Sequence, residues 1–181
     1  MRTFLLAFVI FTAALALGTQ VSPTASANLL RQLAEAVEPI AAVHPLWLLV
    51  IILLNNSLKA LAVILFGVLL ALPPLFFLVL NGLTIGMVVS VLKTSAGYGV
   101  VIAGLAPHGV IEVPLIVLAS GIGIKVGLES LAWLKGARSK VKSQLASGLK
   151  TYVKWVLPGL TLAATIEVFI TPLVVRAVQG G

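Results

Sequence analysis

The chain has 181 residues, 60% of them hydrophobic and 9% charged, with a formal net charge of +7. Soluble domains carry about 25% charged residues, so this chain lacks the polar surface to cover a water-soluble fold, and its solvent must be lipid. Cysteine is absent, which excludes a disulfide framework, a thiolate zinc site and a thiol nucleophile.

The first element is the apolar run Thr3 to Leu17 behind Arg2. With Ala25-Ser26-Ala27 downstream it has the pattern of a cleavable secretory signal. With its flanking residues it is also long enough to reach bilayer thickness. A retained first span with a cytoplasmic N-terminus is the preferred reading. Residues Asn28 to His44 come next and are the most polar part. Leu29, Leu30, Leu33, Ala36, Val37 and Ile40 recur at helical spacing, and Arg31, Gln32, Glu35 and Glu38 take the opposite face. The spacing predicts an amphipathic helix on the outer surface, N-capped by Asn28 and ended by Pro39. Such a helix is either a connector packed on the bilayer or a docking element for a partner.

From Leu46 the sequence is apolar almost to Trp133. Leu46–Leu72 and Leu75–Leu92 read as two spans separated at Pro73-Pro74, because neither proline donates a backbone hydrogen bond. Gly82 and Gly86, then Gly123 and Gly127, stand at the spacing that lets helices approach closely. Gly97 and Gly99 around Tyr98 mark a turn. The segment Tyr98–Leu134 far exceeds the roughly 20 residues a span needs, and a break at Ala106–Gly109 would divide it into a re-entrant piece and a full span. The following connection holds Lys135, Arg138, Lys140, Lys142, Lys150 and Lys154 and no acid. That is the signature of a cytoplasmic membrane face rather than of nucleic-acid binding. Trp155–Val175 is the last span.

These readings give an all-α polytopic membrane protein of about five spans, six being the alternative, with broken or re-entrant helices near Pro73 and Pro107. Its regions are a first span (1–18), an outward amphipathic segment (19–45), a helical membrane core (46–134), a basic cytoplasmic connection (135–154), and a last span with its tail (155–181).

The most unusual stretch is "APHGVIEVPLIVLAS", Ala106 to Ser120, which sets His108 and Glu112 among Val, Ile and Leu. Glu167 sits in a second apolar run. Ionised groups at mid-bilayer cost several kcal/mol unless paired, hydrogen-bonded or neutralised, so these side chains are expected to face one another. His108 and Glu112 are four apart, on one helical face. Asn55, Asn56 and Asn81 are further polar residues inside apolar sequence, and the predicted buried centre gathers all six. Pro73, Pro74, Pro107 and Gly109 are the expected helix breakers. Three uses of the centre stay open. It can be a hydrogen-bond network that fixes helix register. His108, Glu112 and Glu167 also form a ligand set that a divalent ion such as zinc accepts. A His-Glu pair at a broken helix can relay protons or bind ions in transport. Lys59 and Lys125 either pair with a carboxylate or snorkel to an interface.

The successive segments "NNSLKALAVILFG", "LVLNGLTIG", "PHGVIEVPLIVLASGIG" and "AATIEVFITP" resemble, in this order, the stage II sporulation protein M family. The resemblance covers about Leu53 to Pro172. It implies a polytopic helical membrane protein with an outward insertion after the first helix. In spore-forming bacteria such a protein works with peptidoglycan-degrading partners during engulfment. The family's characteristic positions fall on Asn55, Asn56, Asn81, Pro107, His108, Gly109, Glu112 and Glu167. The outer segment here, Thr19 to Pro45, is short for a partner-binding domain.

The function expected on these grounds is a membrane scaffold or complex subunit, self-associating through its glycine-rich faces and contacting membrane or envelope proteins. The alternative is a small ion or solute transporter, or a metal-binding membrane protein with hydrolase activity. No nucleophile with an activating base can be read from the spacing, which favours the non-enzymatic reading.

Overall fold

In the computed structural model, residues 2–29, 31–32 and 44–180 are described. Five helices, each long and apolar enough to cross a membrane, make up most of the chain. They are α1 (Arg2–Gln20), α2 (Pro45–Leu65, ending in the 3-10 turn Phe66–Val68), α3 (Leu72–Ser95), α4 (Gly97–Leu134) and α5 (Val141–Gln179). No strand occurs among the described residues. The protein is an all-α membrane protein of five spans.

Local chemistry sets the helix starts. The Ser22 hydroxyl accepts from the Ala25 N–H (3.2 Å), and Pro23 opens a short helix over residues 23–29. Asn28 is therefore inside a helix and not its cap, a correction to the sequence reading: Ser-Pro supplies both the capping oxygen and a preset first helical residue. The rest of that amphipathic segment, 33–43 with Pro39, lies outside the described residues. At α2 the His44 imidazole accepts from the Leu46 N–H through Nδ1 (3.3 Å) ahead of Pro45.

The two expected breaks fare differently. Near Pro73 the chain does turn, but between two full spans and not as a re-entrant element. Leu70 (φ 55°) and Ala71 (φ 66°) take left-handed backbone, and Pro73 and Pro74 lie in the first turn of α3, where a missing N–H costs nothing. Near Pro107 there is no break. α4 is one helix of 38 residues that runs through both Pro107 and Pro114. Each proline removes one backbone bond, and the long helical runs on either side, packed among neighbouring spans, hold the axis together.

α4 is the central element and packs against all four other spans. Its buried residues Ile116, Val117 and Ile124 join Ala7, Phe11 and Leu78 from α1 and α3, while Ala119 and Ile122 meet Ala60, Ile64, Val156 and Leu160 from α2 and α5. Close approach is achieved with glycine. A methyl on Gly86 would collide with the Leu15 carbonyl and Gly18 of α1; one on Gly123 would meet Val63 and Pro74; one on Gly127 would meet the Ala71 backbone. The glycine faces on which self-association was expected are thus filled within the chain. Large apolar side chains such as Phe8, Trp47, Phe76, Ile102 and Leu162 point outward, as a lipid-facing surface requires.

Candidate functional site

Three spans bring their polar residues together. On α4, His108 and Glu112 lie one turn apart, on the face directed at α2 and α5. On α5, Glu167 belongs to a widened π turn, Ile166–Ile170. A second π turn spans Tyr152–Val156. Both precede a proline, Pro172 and Pro158, whose ring presses on the carbonyl four residues back and donates no hydrogen bond to it. At the Glu167 turn the Ile166 carbonyl accepts from both the Thr171 backbone N–H and the Thr171 hydroxyl (3.2 Å to the hydroxyl). Wide turns of this kind recur at functional sites.

One ligating atom each from His108, Glu112 and Glu167 lies within 4.8 Å of the others, and all three residues are half-buried. From α2, the Asn56 amide donates to Glu112 Oε1 (3.0 Å) and accepts from Asn55 (3.1 Å). The result is a short polar chain, Asn55 to Asn56 to Glu112. His108 Nδ1 stands 3.4 Å from the Thr171 hydroxyl. Among the described residues Glu167 has no hydrogen-bond partner. Lys59 and Lys125 are both exposed and neither forms an ion pair among the described residues.

The cluster opens into a cavity of about 760 Å³ walled mostly by apolar side chains, including Ile52, Ile85, Val101 and Leu105, with Asn55, Asn56 and Asn81 also on its surface. Asn81 borders this cavity and donates one amide hydrogen to its own helix at the Phe77 carbonyl (2.8 Å). Gly109 does not break the helix. A side chain there would meet nothing within 4 Å, so glycine leaves the cavity wall open. Pro107 sits beside His108 in intact helix, and Pro73 and Pro74 belong to the α2–α3 turn, away from the cavity.

Thr171 and the π turn were not singled out by sequence reasoning. The signal was there in the Thr171-Pro172 pair, which places a hydroxyl next to a missing backbone donor. Chemically, an imidazole and two carboxylates on three turns of two helices can share protons or surround one cation. A mostly apolar cavity with a few convergent polar groups is the usual form of a small-ligand site.

The fold defines a class: a multi-pass helical membrane protein, here with a mostly apolar cavity between spans. The chain belongs to the stage II sporulation protein M family, whose sequence profile matches residues 3–172. It is also similar to an uncharacterized protein of Methanocaldococcus jannaschii, 27% identical over 125 residues, which covers 66% of this chain and 69% of that one. No solved structure matches it significantly.

Proposed function

We propose that the protein is an integral-membrane subunit on which an envelope complex is assembled, and that the centre at His108, Glu112 and Glu167 fixes the relative position of α2, α4 and α5. The observation that carries the second half is the cross-span bond from Asn56 to Glu112, which joins residues 56 apart in the chain. An ionisable side chain inside a membrane span is held by the partner that satisfies it, so the bond ties α2 to α4 at one register. Family membership supports the first half. Orientation follows from charge: the basic run Lys135 to Lys154 at the start of α5 faces the cytoplasm with Arg2, and the 23–29 helix faces outward.

The test is capture of the full-length chain from native membranes under mild detergent. A subunit retains a reproducible set of membrane or envelope proteins, and replacing the outer segment 22–32 by a Gly/Ser linker of equal length weakens that retention. A chain that comes out alone at every detergent concentration contradicts the reading. The transporter alternative predicts ion or proton flux in liposomes that Glu112→Gln abolishes; retention of partners without such flux favours the subunit.

A further inference from the structure

We propose that His108, Glu112 and Glu167 bind one divalent transition-metal ion, with zinc the best match to the donors. The inference rests on the reading of this cluster as the element that ties the spans together, and it names the ligand that would complete it.

Charge is the first reason. Two carboxylates whose oxygens approach within 4.8 Å between membrane spans repel each other with little solvent to screen them. Lys59 and Lys125 are exposed and neither forms an ion pair with these carboxylates among the described residues. A divalent cation with two carboxylates and a neutral imidazole sums to zero, the net charge that low dielectric favours.

Free valence is the second. Glu112 accepts one hydrogen bond, at Oε1 from Asn56. Glu167 accepts none from a described residue. Both carboxylates keep lone pairs directed at the same small space.

The third reason is the orientation of the imidazole. The Thr171 hydroxyl gives its one proton to the Ile166 carbonyl, because a carbonyl can only accept. Toward His108 it can then act only as acceptor, so Nδ1 carries the ring proton and Nε2 holds the lone pair. Metal-binding imidazoles are set in this way by an oxygen on the far nitrogen. The π turn serves the site twice, since its Ile166 carbonyl also accepts from the Thr171 hydroxyl and it carries Glu167 itself.

Size is the fourth. Zinc–ligand bonds of about 2.0–2.1 Å in a tetrahedron put donor atoms about 3.4 Å apart. Closing from the observed spread takes small side-chain rotations of two long glutamates, and the remaining coordination position faces the cavity. One nitrogen with two carboxylate oxygens suits zinc, manganese or iron(II) better than the soft-ligand ions.

The experiment uses the tag-free full-length chain in lipid nanodiscs. It is stripped with chelator, dialysed against micromolar zinc, and its metal content is counted by mass spectrometry. The expected result is about one zinc per chain. Binding should fall at least tenfold in His108→Ala and in Glu167→Gln, and stay unchanged in His44→Ala, whose imidazole caps α2 instead. Cobalt(II) loaded in place of zinc should give visible d–d absorption that His108→Ala abolishes. Circular dichroism and size-exclusion profiles check that each variant folds. If Glu167→Gln does not fold, Thr171→Val serves in its place, because it keeps the side-chain shape while removing the hydroxyl that orients His108 and bonds the Ile166 carbonyl, and it should weaken zinc binding about 10–100-fold. Less than about 0.1 zinc per wild-type chain, or stoichiometric zinc that survives loss of His108, overturns the proposal and leaves a proton-sharing hydrogen-bond network. Partner retention, measured in parallel, keeps the two readings apart: a metal-free chain that holds its partners contradicts only the metal site, and a zinc-loaded chain without partners contradicts only the subunit role.

Discussion

The α1–α3 seam and the space between α2, α4 and α5 use opposite materials to solve the same problem. At the seam Gly18, Gly82 and Gly86 bring two backbones into contact, and Ala7, Phe11 and Leu78 fill what is left. The other side keeps a cavity of about 760 Å³ and spans it with side-chain polar contacts such as Asn56 to Glu112. Lipid offers no hydrophobic drive for helix association, so a membrane protein must rely on close packing or on polar contacts. This chain separates the two devices by region. The first region is closed by direct backbone contact, and the second keeps an open volume.

The sharpest way to break this contrast is to put bulk at a glycine in each region. Gly86→Leu should cause the largest loss, about 3 kcal/mol or more, because its side chain meets the α1 backbone and overpacking a filled contact forces helices apart. It should appear as an aggregated or unfolded fraction by size-exclusion and a fallen melting temperature in detergent. Gly127→Ala comes next, costing about 1–3 kcal/mol, since the new methyl meets the Ala71 backbone at a turn already held at positive φ. Asn56→Ala, on the cavity side, should cost about 0.6–2 kcal/mol. A double-mutant cycle with Glu112→Gln should show most of that energy is shared between the two side chains; independent effects would mean the contact carries no weight. Tyr152→Phe removes the hydroxyl that donates to the Ser57 carbonyl (3.1 Å), and a loss of about 0.5–1.5 kcal/mol is expected. Gly109→Ala should change the melting temperature least, since a side chain there meets nothing within 4 Å. A large effect of Gly109→Ala would mean that the cavity is filled by another molecule or a second chain.

Much of the architecture was readable because lipid enforces it. Five spans, the turn at Pro73-Pro74 and the turn at Gly97 follow from apolar run length and from residues with special backbone demands. Pro107 misled because a proline removes a single hydrogen bond, and α4 has residues enough on both sides to absorb the loss. The glycines were recognised as contact residues but assigned to a partner copy. A small-residue stripe reports that something comes close, and not which helix does. Asn81 lines the same cavity as His108 and Glu112, with one amide hydrogen given to the Phe77 carbonyl one turn back.

By itself the sequence determined that this chain lives in a membrane, that it crosses five or six times, and which side chains are too polar to face lipid. Composition and run length suffice for that, because the cost of exposing a charge to acyl chains does not depend on the fold. Only the tertiary structure decided which of those side chains meet. His108 and Glu112 are separated from Glu167 by more than 50 positions, and their distance depends on how α5 turns as it passes α4. That rotation is set by the widened turn ahead of Pro172 and by the Thr171 hydroxyl that stabilises it, a local adjustment that alters the facing of a helix without altering its hydropathy.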